Sequence, residues 1–412
     1  MARVLYLSQW FPPENNTVGL QVAHAFKARG HEVEVLTGFP NYPSGELAAG
    51  YRLAPYVRQV MEGVVVHRVY LHPSHDRSSL GRVLNYVSFF MSCLIFLLAR
   101  GRRYDVIYVY HPPIMPALAA ALSGFLTRCP FIVEVQDLWP DSVATAGMPG
   151  TSTISRILGP ICLFVYQRAA IVLGQSQGMS QRLVERGSET RKTGVVFNWA
   201  QEDAARATGR FDTSGLSFEG RFNFVYAGNL GTVQALDVLV EAAIAAARSE
   251  PSIMLTLIGE GTERDRLEAL VNEADGDAVQ IIDAVPVSQI GDVLAQADVL
   301  LAHLKDDSLF EITIPSKLQF YLAMGKPVLI GVAGEAARIV TDAAAGVAVP
   351  PGDVAGVAAA MVRMARMPAA DLKAMGVAAR STYDSRFSFA AALDRRAAFI
   401  DKAVAHGPWV EL

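Results

Sequence analysis

Runs of like charge are missing from this 412-residue chain, and with them the usual mark of a nucleic-acid binder. Its 36 Lys and Arg are interspersed with 40 Asp and Glu, for a net charge of −4, so no basic stripe is available for a phosphodiester backbone. Cysteine is scarce: Cys93, Cys129 and Cys162 are far apart, odd in number and set among apolar residues. They read as reduced core thiols of a cytoplasmic protein rather than a disulfide framework. The chain lacks any cluster with metal-ligand spacing, a nucleophile elbow and a Walker loop, so no metal is expected. The first helix lacks a Gly-x-Gly-x-x-Gly fingerprint, which disfavours an NAD enzyme. Strand-like residues begin directly after Met1-Ala2-Arg3, which leaves no room for a cleaved signal peptide.

Apolar residues are abundant, at 51%, and the mean hydropathy of +0.27 is high for a water-soluble chain, a hint of membrane contact. Val83 to Ala99 is almost wholly apolar. It is short of the roughly 20 residues a span needs, and Asn85, Ser88 and Ser92 share one helical face. Strand-like runs flank it, Val64–Val69 and Val106–Tyr110, and a span would put strands of one sheet on opposite sides of a bilayer. It therefore reads as a layer helix. Arg77 and Arg82 precede it and Arg100, Arg102 and Arg103 follow it. Those arginines fit a solvated helix end and anionic lipid head groups equally well.

The rest alternates short apolar runs with helical patterns, the signature of doubly wound parallel sheets covered on both faces. The first strand series is Val4–Ser8, Glu32–Thr37, Val64–Tyr70, Val106–Tyr110, Phe131–Val135 and Ile171–Leu173. After a polar patch near Gln201–Gly220 comes a second: Phe222–Tyr226, Met254–Ile258, Val279–Ile282, Val299–Ala302, Val328–Ile330 and Gly346–Val349. The expected architecture is α/β, with two Rossmann-like domains, residues 1–200 and 201–387, facing a central cleft. The last helix, within 388–412, is expected to pack back on the first domain.

Ligands of open α/β sheets bind past the carboxyl ends of the strands, so residues just after strands carry the functional reading. In the first domain these are Asn15, Asn16 and Thr17, then Asn41 and Tyr42 in a Pro- and Gly-rich loop, then His111, placed facing the cleft, and Asp137. Capping and turn chemistry explain several of them equally well. Asp137 is the candidate for chemistry, since a strand-end carboxylate can hold or deprotonate a hydroxyl; neighbouring Asp141 fits a helix cap. In the second domain Gly228-Asn229-Leu230-Gly231, Gly259-Glu260-Gly261 and Ala284-Val285-Pro286 follow successive strands. Glu311 precedes a helix start at Pro315-Ser316-Lys317, where Ser316 reads as the cap. A helix N-terminus with a lysine suits a diphosphate, and it also suits an ordinary αβ turn with a surface lysine.

Taken in order, Phe11-Pro12-Pro13-Glu14, Gly30-His31-Glu32-Val33, Pro40-Asn41-Tyr42-Pro43, Asp137-Leu138-Trp139-Pro140, Gly228-Asn229-Leu230-Gly231, Gly259-Glu260-Gly261 and Pro315–Pro327 resemble the family 4 glycosyltransferases over nearly the whole chain. The resemblance implies the GT-B fold and a retaining glycosyltransferase of the hexosyltransferase type. The most similar subgroup builds bacterial surface polysaccharides such as O-antigen and exopolysaccharide. It moves an aminosugar or deoxysugar from a nucleoside diphosphate to a lipid-linked or glycan acceptor at the inner face of the cytoplasmic membrane. No metal cofactor is implied, and UDP is the expected donor nucleotide. Within that reading the candidate catalytic residues are Asp137, placed by its strand end, Glu311, a donor-sugar contact, and Lys317. Gly228, Asn229, Gly231, Gln234, Gly259, Glu260, Gly261, Val285, Pro315 and Ser316 hold the nucleotide sugar, and Asn15, Asn16, Thr17, Tyr42 and His111 hold the acceptor.

Two departures stand out. Asn229 and Gln234 replace the Arg and Lys of many members, which leaves Lys317 as the main cation for the leaving group. Phe320 replaces the second Glu of a Glu-x7-Glu motif, and Gln319 points roughly 100° away on the helix. The first Glu falls near Ile312, beside Glu311. Two competing readings share the architecture: a nucleotide-sugar 2-epimerase, and a non-catalytic sugar-nucleotide-binding component.

Overall fold

The computed structural model describes residues 1–14, 18–74, 79–141, 151–274 and 276–406. Asn15, Asn16, Thr17 and Arg77 lie outside the described residues. The chain forms two compact units, Met1–Val196 with Leu393–Leu412, and Phe197–Ala392.

The first unit is built on an eight-stranded sheet. Its strands are β1 (Arg3–Leu7), β2 (Glu32–Gly38), β3 (Tyr56–Met61), β4 (Val64–Val69), β5 (Val106–His111), β6 (Phe131–Val135), β7 (Ile171–Gly174) and β8 (Thr193–Val195), in the order β3-β4-β2-β1-β5-β6-β7-β8. Every pairing is parallel except β3 with β4. The central strands are buried along nearly their whole length, which is why they read as unbroken apolar runs. The β3–β4 hairpin differs. β3 lies at the sheet edge and alternates exposed with half-buried residues, so its polar positions hide it from a search for apolar runs. The hairpin turn has positive φ at Glu62 (47°) and Gly63 (77°), as a tight primed turn requires.

The helices of this unit are α1 (Val18–Ala28), α2 (Ser79–Arg100), α3 (Met115–Thr127), α4 (Thr151–Arg168) and α5 (Gln177–Glu185). The apolar segment of the sequence becomes α2, a layer helix with Phe89, Cys93, Phe96 and Leu97 buried against the unit. All three cysteines are free and buried.

The second unit carries a six-stranded sheet. It comprises β9 (Phe222–Ala227), β10 (Ile253–Ile258), β11 (Val279–Ile282), β12 (Val299–His303), β13 (Val328–Gly331) and β14 (Gly346–Ala348), ordered β11-β10-β9-β12-β13-β14. All pairings are parallel. Between and after them run α6 (Asp237–Ala247), α7 (Arg264–Asn272), α8 (Ile290–Leu294), α9 (Ser308–Glu311), α10 (Ser316–Met324), α11 (Glu335–Asp342), α12 (Val354–Ala365) and α13 (Ala369–Thr382).

The last helix, α14 (Phe389–His406), belongs to the first unit from Leu393 onward. There Arg396 donates to Glu134 of β6 at 3.0 Å and 2.5 Å, with both side chains 1% exposed. Gln136 and Tyr108 also donate to the Glu134 carboxylate. Phe399 packs on Gly194 of β8.

The segment leading into β9 is pinned by one carboxylate. Asp292 of α8 accepts from the backbone N–H groups of Thr208, Gly209, Arg210 and Phe211. Burial alone would raise its pKa, but the bonds from Gly209, Thr208 and Phe211 outweigh it and hold the pKa well below the usual carboxylate value. The stabilisation is therefore present above the unfolded-state pKa of about 3.9 and is lost as pH falls toward the folded value. Asp292→Ala is expected to speed hydrogen exchange at residues 208–211 at neutral pH while leaving β9 protected; unchanged exchange would remove this role.

Candidate active site

In each sheet one strand marks the point where the winding reverses. In the second unit it is β9, with β10 on one side and β12 on the other. Loops leaving β9 and β12 diverge there, and this is where a crevice for ligands opens in doubly wound sheets.

The loop after β9 is built around close backbone contact. Gly228 has φ 142° and Gly259, at the end of β10, has φ 146°. A Cβ on Gly259 would lie 1.9 Å from the Gly228 carbonyl oxygen, so only glycine fits. Leu230 N–H donates to the Glu260 carbonyl at 2.8 Å, and Glu263 N–H to the Leu230 carbonyl at 2.9 Å. Gly259→Ala should therefore separate the two loops. Melting curves are expected to show a lower Tm; an unchanged Tm would mean that the close approach of the two loops is not needed.

Tyr321 ties α10 to the end of β9, and Tyr226 braces the loop that follows. The Tyr321 hydroxyl accepts from Ala227 N–H at 3.1 Å, and the Tyr226 hydroxyl donates to the Asn229 carbonyl at 2.8 Å. Lys317, one turn before Tyr321, is thereby laid over Gly228, with its Nζ 5.0 Å from the centre of the Tyr226 ring. Burial lowers the pKa of this ammonium. Among the described residues it has no carboxylate or hydrogen-bond partner. The backbone N–H groups of Asn229 and Gly231 likewise make no hydrogen bond among the described residues. A half-buried cation over Gly228, two unused amides in the same loop and the first turn of a nine-residue helix thus belong to neighbouring segments.

The sequence reading of that helix start needs one correction. Pro315, not Ser316, occupies the cap position, with φ −60° and ψ 137°, and no side chain caps the helix. Proline supplies the fixed φ, and Ser316 is already helical and exposed. The first amides of α10 are therefore not taken by a serine hydroxyl. Gln319 is buried and Phe320 half-buried.

The remaining candidates of this unit fall around the same edge. Gln234 lies at the end of the β9 loop; its side chain accepts from Asn229 at 3.4 Å, and its carbonyl accepts from His303 Nδ1 at 2.8 Å. His303 Nε2 accepts from Gly352 N–H at 3.3 Å, which assigns the neutral tautomer, and burial lowers its pKa. Glu260 is paired with Arg264 at 3.0 Å, and the same guanidinium meets Glu268 and Asp283, each at 2.8 Å. Its carboxylate is thus already engaged, and Glu260 serves the loop through its carbonyl. Glu311 is exposed, with its backbone packed on Gly334, and Val285 is half-buried after β11. His303, Arg264, Tyr226 and Tyr321 escaped the sequence reading; the strand-end rule that found the glycine loops also points to His303 at the end of β12.

In the first unit the switch strand is β1, between β2 and β5. Glu14 organises the loops here. Its carboxylate accepts from the N–H groups of Phe11 at 3.0 Å, Asn41 at 2.8 Å and Tyr42 at 2.9 Å. Burial raises its pKa, and these three bonds offset part of the rise. The fully buried Arg68 donates to the Gly38 carbonyl at 2.8 Å and to the Pro12 carbonyl. A file of aromatic rings lines this edge: Tyr42 lies 5.0 Å from Trp10, and Trp139 lies 6.2 Å from Tyr86 and 5.9 Å from His111.

His111, placed facing the cleft by its strand-end position, is buried. It is the last residue of β5, and the segment after β6 folds Trp139 over its ring, leaving it 0% exposed. Burial pushes its pKa down to about 3, and neither ring nitrogen has a hydrogen-bond partner among the described residues. It is neutral at physiological pH. Asp137 stays exposed along one side, and the protein packed around its carboxyl raises its pKa. Asp141 is paired with Arg186, which also donates to the Trp139 carbonyl at 2.8 Å. Among the described residues no three His, Cys, Asp or Glu side chains come together as metal ligands.

Two families match successive parts of the chain: "Glycosyl transferase 4-like domain" over residues 16–199 and "Glycosyl transferases group 1" over residues 221–367. The chain belongs to the family 4 glycosyltransferases. This glycosyltransferase is 24% identical to WbjE of Pseudomonas aeruginosa, named as a glycosyltransferase, over 74% of its own length and 76% of WbjE. It is 25% identical to WcaI of Escherichia coli, named as a colanic acid biosynthesis glycosyl transferase, over 76% of its own length and 79% of WcaI. The glycosyltransferase also shares the GT-B fold of Anabaena HepE, solved in complex with UDP. The TM-score is 0.68 at 15% identity, covering 97% of this chain and 100% of HepE.

Proposed function

We propose that this glycosyltransferase transfers an aminosugar or deoxysugar, with retention, from a UDP-sugar to a lipid-linked or glycan acceptor in bacterial surface polysaccharide synthesis, at the cytoplasmic face of the membrane. The observation that carries the donor half is Lys317. A half-buried ammonium with no acidic partner among the described residues, laid over the loop that carries the unused amides of Asn229 and Gly231, supports the binding of a diphosphate.

The sugar C1–O bond to the diphosphate breaks as negative charge grows on the leaving oxygen. Lys317, the start of α10 and the 228–231 loop stabilise that charge. With Asn229 and Gln234 uncharged, Lys317 carries most of the neutralisation. The acceptor hydroxyl attacks from the face the diphosphate leaves, and its proton passes to a leaving phosphate oxygen. Asp137 orients the acceptor hydroxyl. Its raised pKa makes it the more basic hydrogen-bond acceptor. Glu311 contacts the donor sugar, and the aromatic file around Trp139 and Tyr42 holds the acceptor. WcaI, named for colanic acid biosynthesis, supports the polysaccharide setting, and HepE with UDP supports the nucleotide.

The test is a melting screen against UDP, GDP, dTDP and their sugars, followed by NMR of the product's anomeric configuration. UDP compounds are expected to raise Tm most, by mass action. A product of inverted configuration would overturn the retaining mechanism, and a preference for GDP or dTDP would overturn the donor assignment.

A further inference from the structure

One long apolar face of the first unit is uncovered. Along α2, the side chains of Leu80, Val83, Leu84, Val87, Met91 and Ile95 are between 43% and 68% exposed. At about 100° and 1.5 Å per residue they share roughly 120° of arc and run for roughly 22 Å. An exposed helix face normally carries charged residues, and this one has none. The opposite face, with Asn85, Phe89 and Cys93, is buried in the unit.

The charge around the stripe indicates its occupant. Arg82 and Arg100 fall on the opposite helix face, Arg100 against Tyr56, but Arg102, Arg103 and Arg128 at the α2–α3 junction are exposed, and Asp105 is the one acid from Ser79 to Arg128. Arg102 donates to the Leu126 carbonyl at 3.0 Å, which joins the ends of α2 and α3. Phe125 and Leu126 are exposed at that junction, and the Arg168 guanidinium lies 4.2 Å from the centre of the Phe125 ring. A second copy docked through the same face would set these arginines against their own equivalents, whereas an anionic lipid surface complements them.

We propose that α2 lies in the surface of an anionic bilayer, with its stripe among the acyl chains and the arginines of the α2–α3 junction among the head groups. The same helix carries Tyr86, whose ring meets Trp139 in the aromatic file. α2 thus joins the lipid surface to the acceptor residues. This deepens the reading of a lipid-linked acceptor and rests on it for its purpose.

The full chain is sedimented with vesicles containing phosphatidylglycerol and with vesicles of phosphatidylcholine alone. The wild type is expected to pellet with the former, and Leu84→Glu/Ile95→Glu to bind at least roughly tenfold more weakly. Arg102→Glu/Arg103→Glu is expected to lose the preference for anionic vesicles. All three proteins should show the same UDP-induced melting shift, so that a folding defect is visible. Unchanged vesicle binding by Leu84→Glu/Ile95→Glu, or no pelleting of the wild type, would overturn the proposal. So would a wild-type dimer in light scattering that this variant splits. A wild type that pellets but shows no UDP shift supports the docking and counts against the donor reading alone.

Discussion

Lys317→Ala is expected to lower turnover by about 10²–10³-fold, the scale seen when one preorganised charge or donor is removed from a developing anion. No loss of thermal stability should accompany it. The ammonium is partly desolvated, lies on the Tyr226 ring and has no ion partner among the described residues, so the folded apo protein gains little from it. UDP affinity should fall together with turnover, because the ground-state diphosphate is also an anion. Lys317→Arg should restore only part of the activity. The lysine stem packs directly on Gly228, and a planar guanidinium does not fit the place of a compact ammonium. The comparison uses UDP release for turnover and melting curves for stability. Near-wild-type turnover by Lys317→Ala would remove the central assignment.

Arg396→Ala is the change with the largest expected effect on stability. It leaves Glu134 charged in the core of the first unit, where both partners are 1% exposed. Breaking such a pair from one side costs about 3–5 kcal/mol. In a unit of this size that corresponds to a Tm loss on the order of 10 °C. The mechanism predicts a particular double-mutant pattern. Glu134→Leu with Arg396→Met should recover most of the loss, because the penalty comes from an uncompensated buried charge. If the double variant were as unstable as the single one, packing rather than charge would be what holds α14 in place.

Strands were the most legible feature of the sequence. A strand covered on both faces has no reason to alternate, so β1, β6, β10 and β12 appear as short apolar runs bounded by Gly or polar residues. β3 has one face toward solvent, and β8 has only three residues; neither makes such a run. The site was legible to the extent that a strand end fixes position. Gly228 and Gly259 follow from that rule, and Lys317 from the helix start beside it. Side-chain direction is a different matter. His111 sits at a strand end yet is buried, because Trp139 closes over it. Long-range partners were out of reach as well. Glu134 and Arg396 are 262 residues apart, and nothing local marks either as one half of a pair.

A structure of the full chain with UDP tests the central claim most directly. The account predicts the diphosphate against the 228–231 loop, with Lys317 Nζ and the amides of Asn229 and Gly231 within hydrogen-bond distance of its oxygens. A nucleotide bound elsewhere, or a Lys317 side chain turned away from those phosphates, would contradict it.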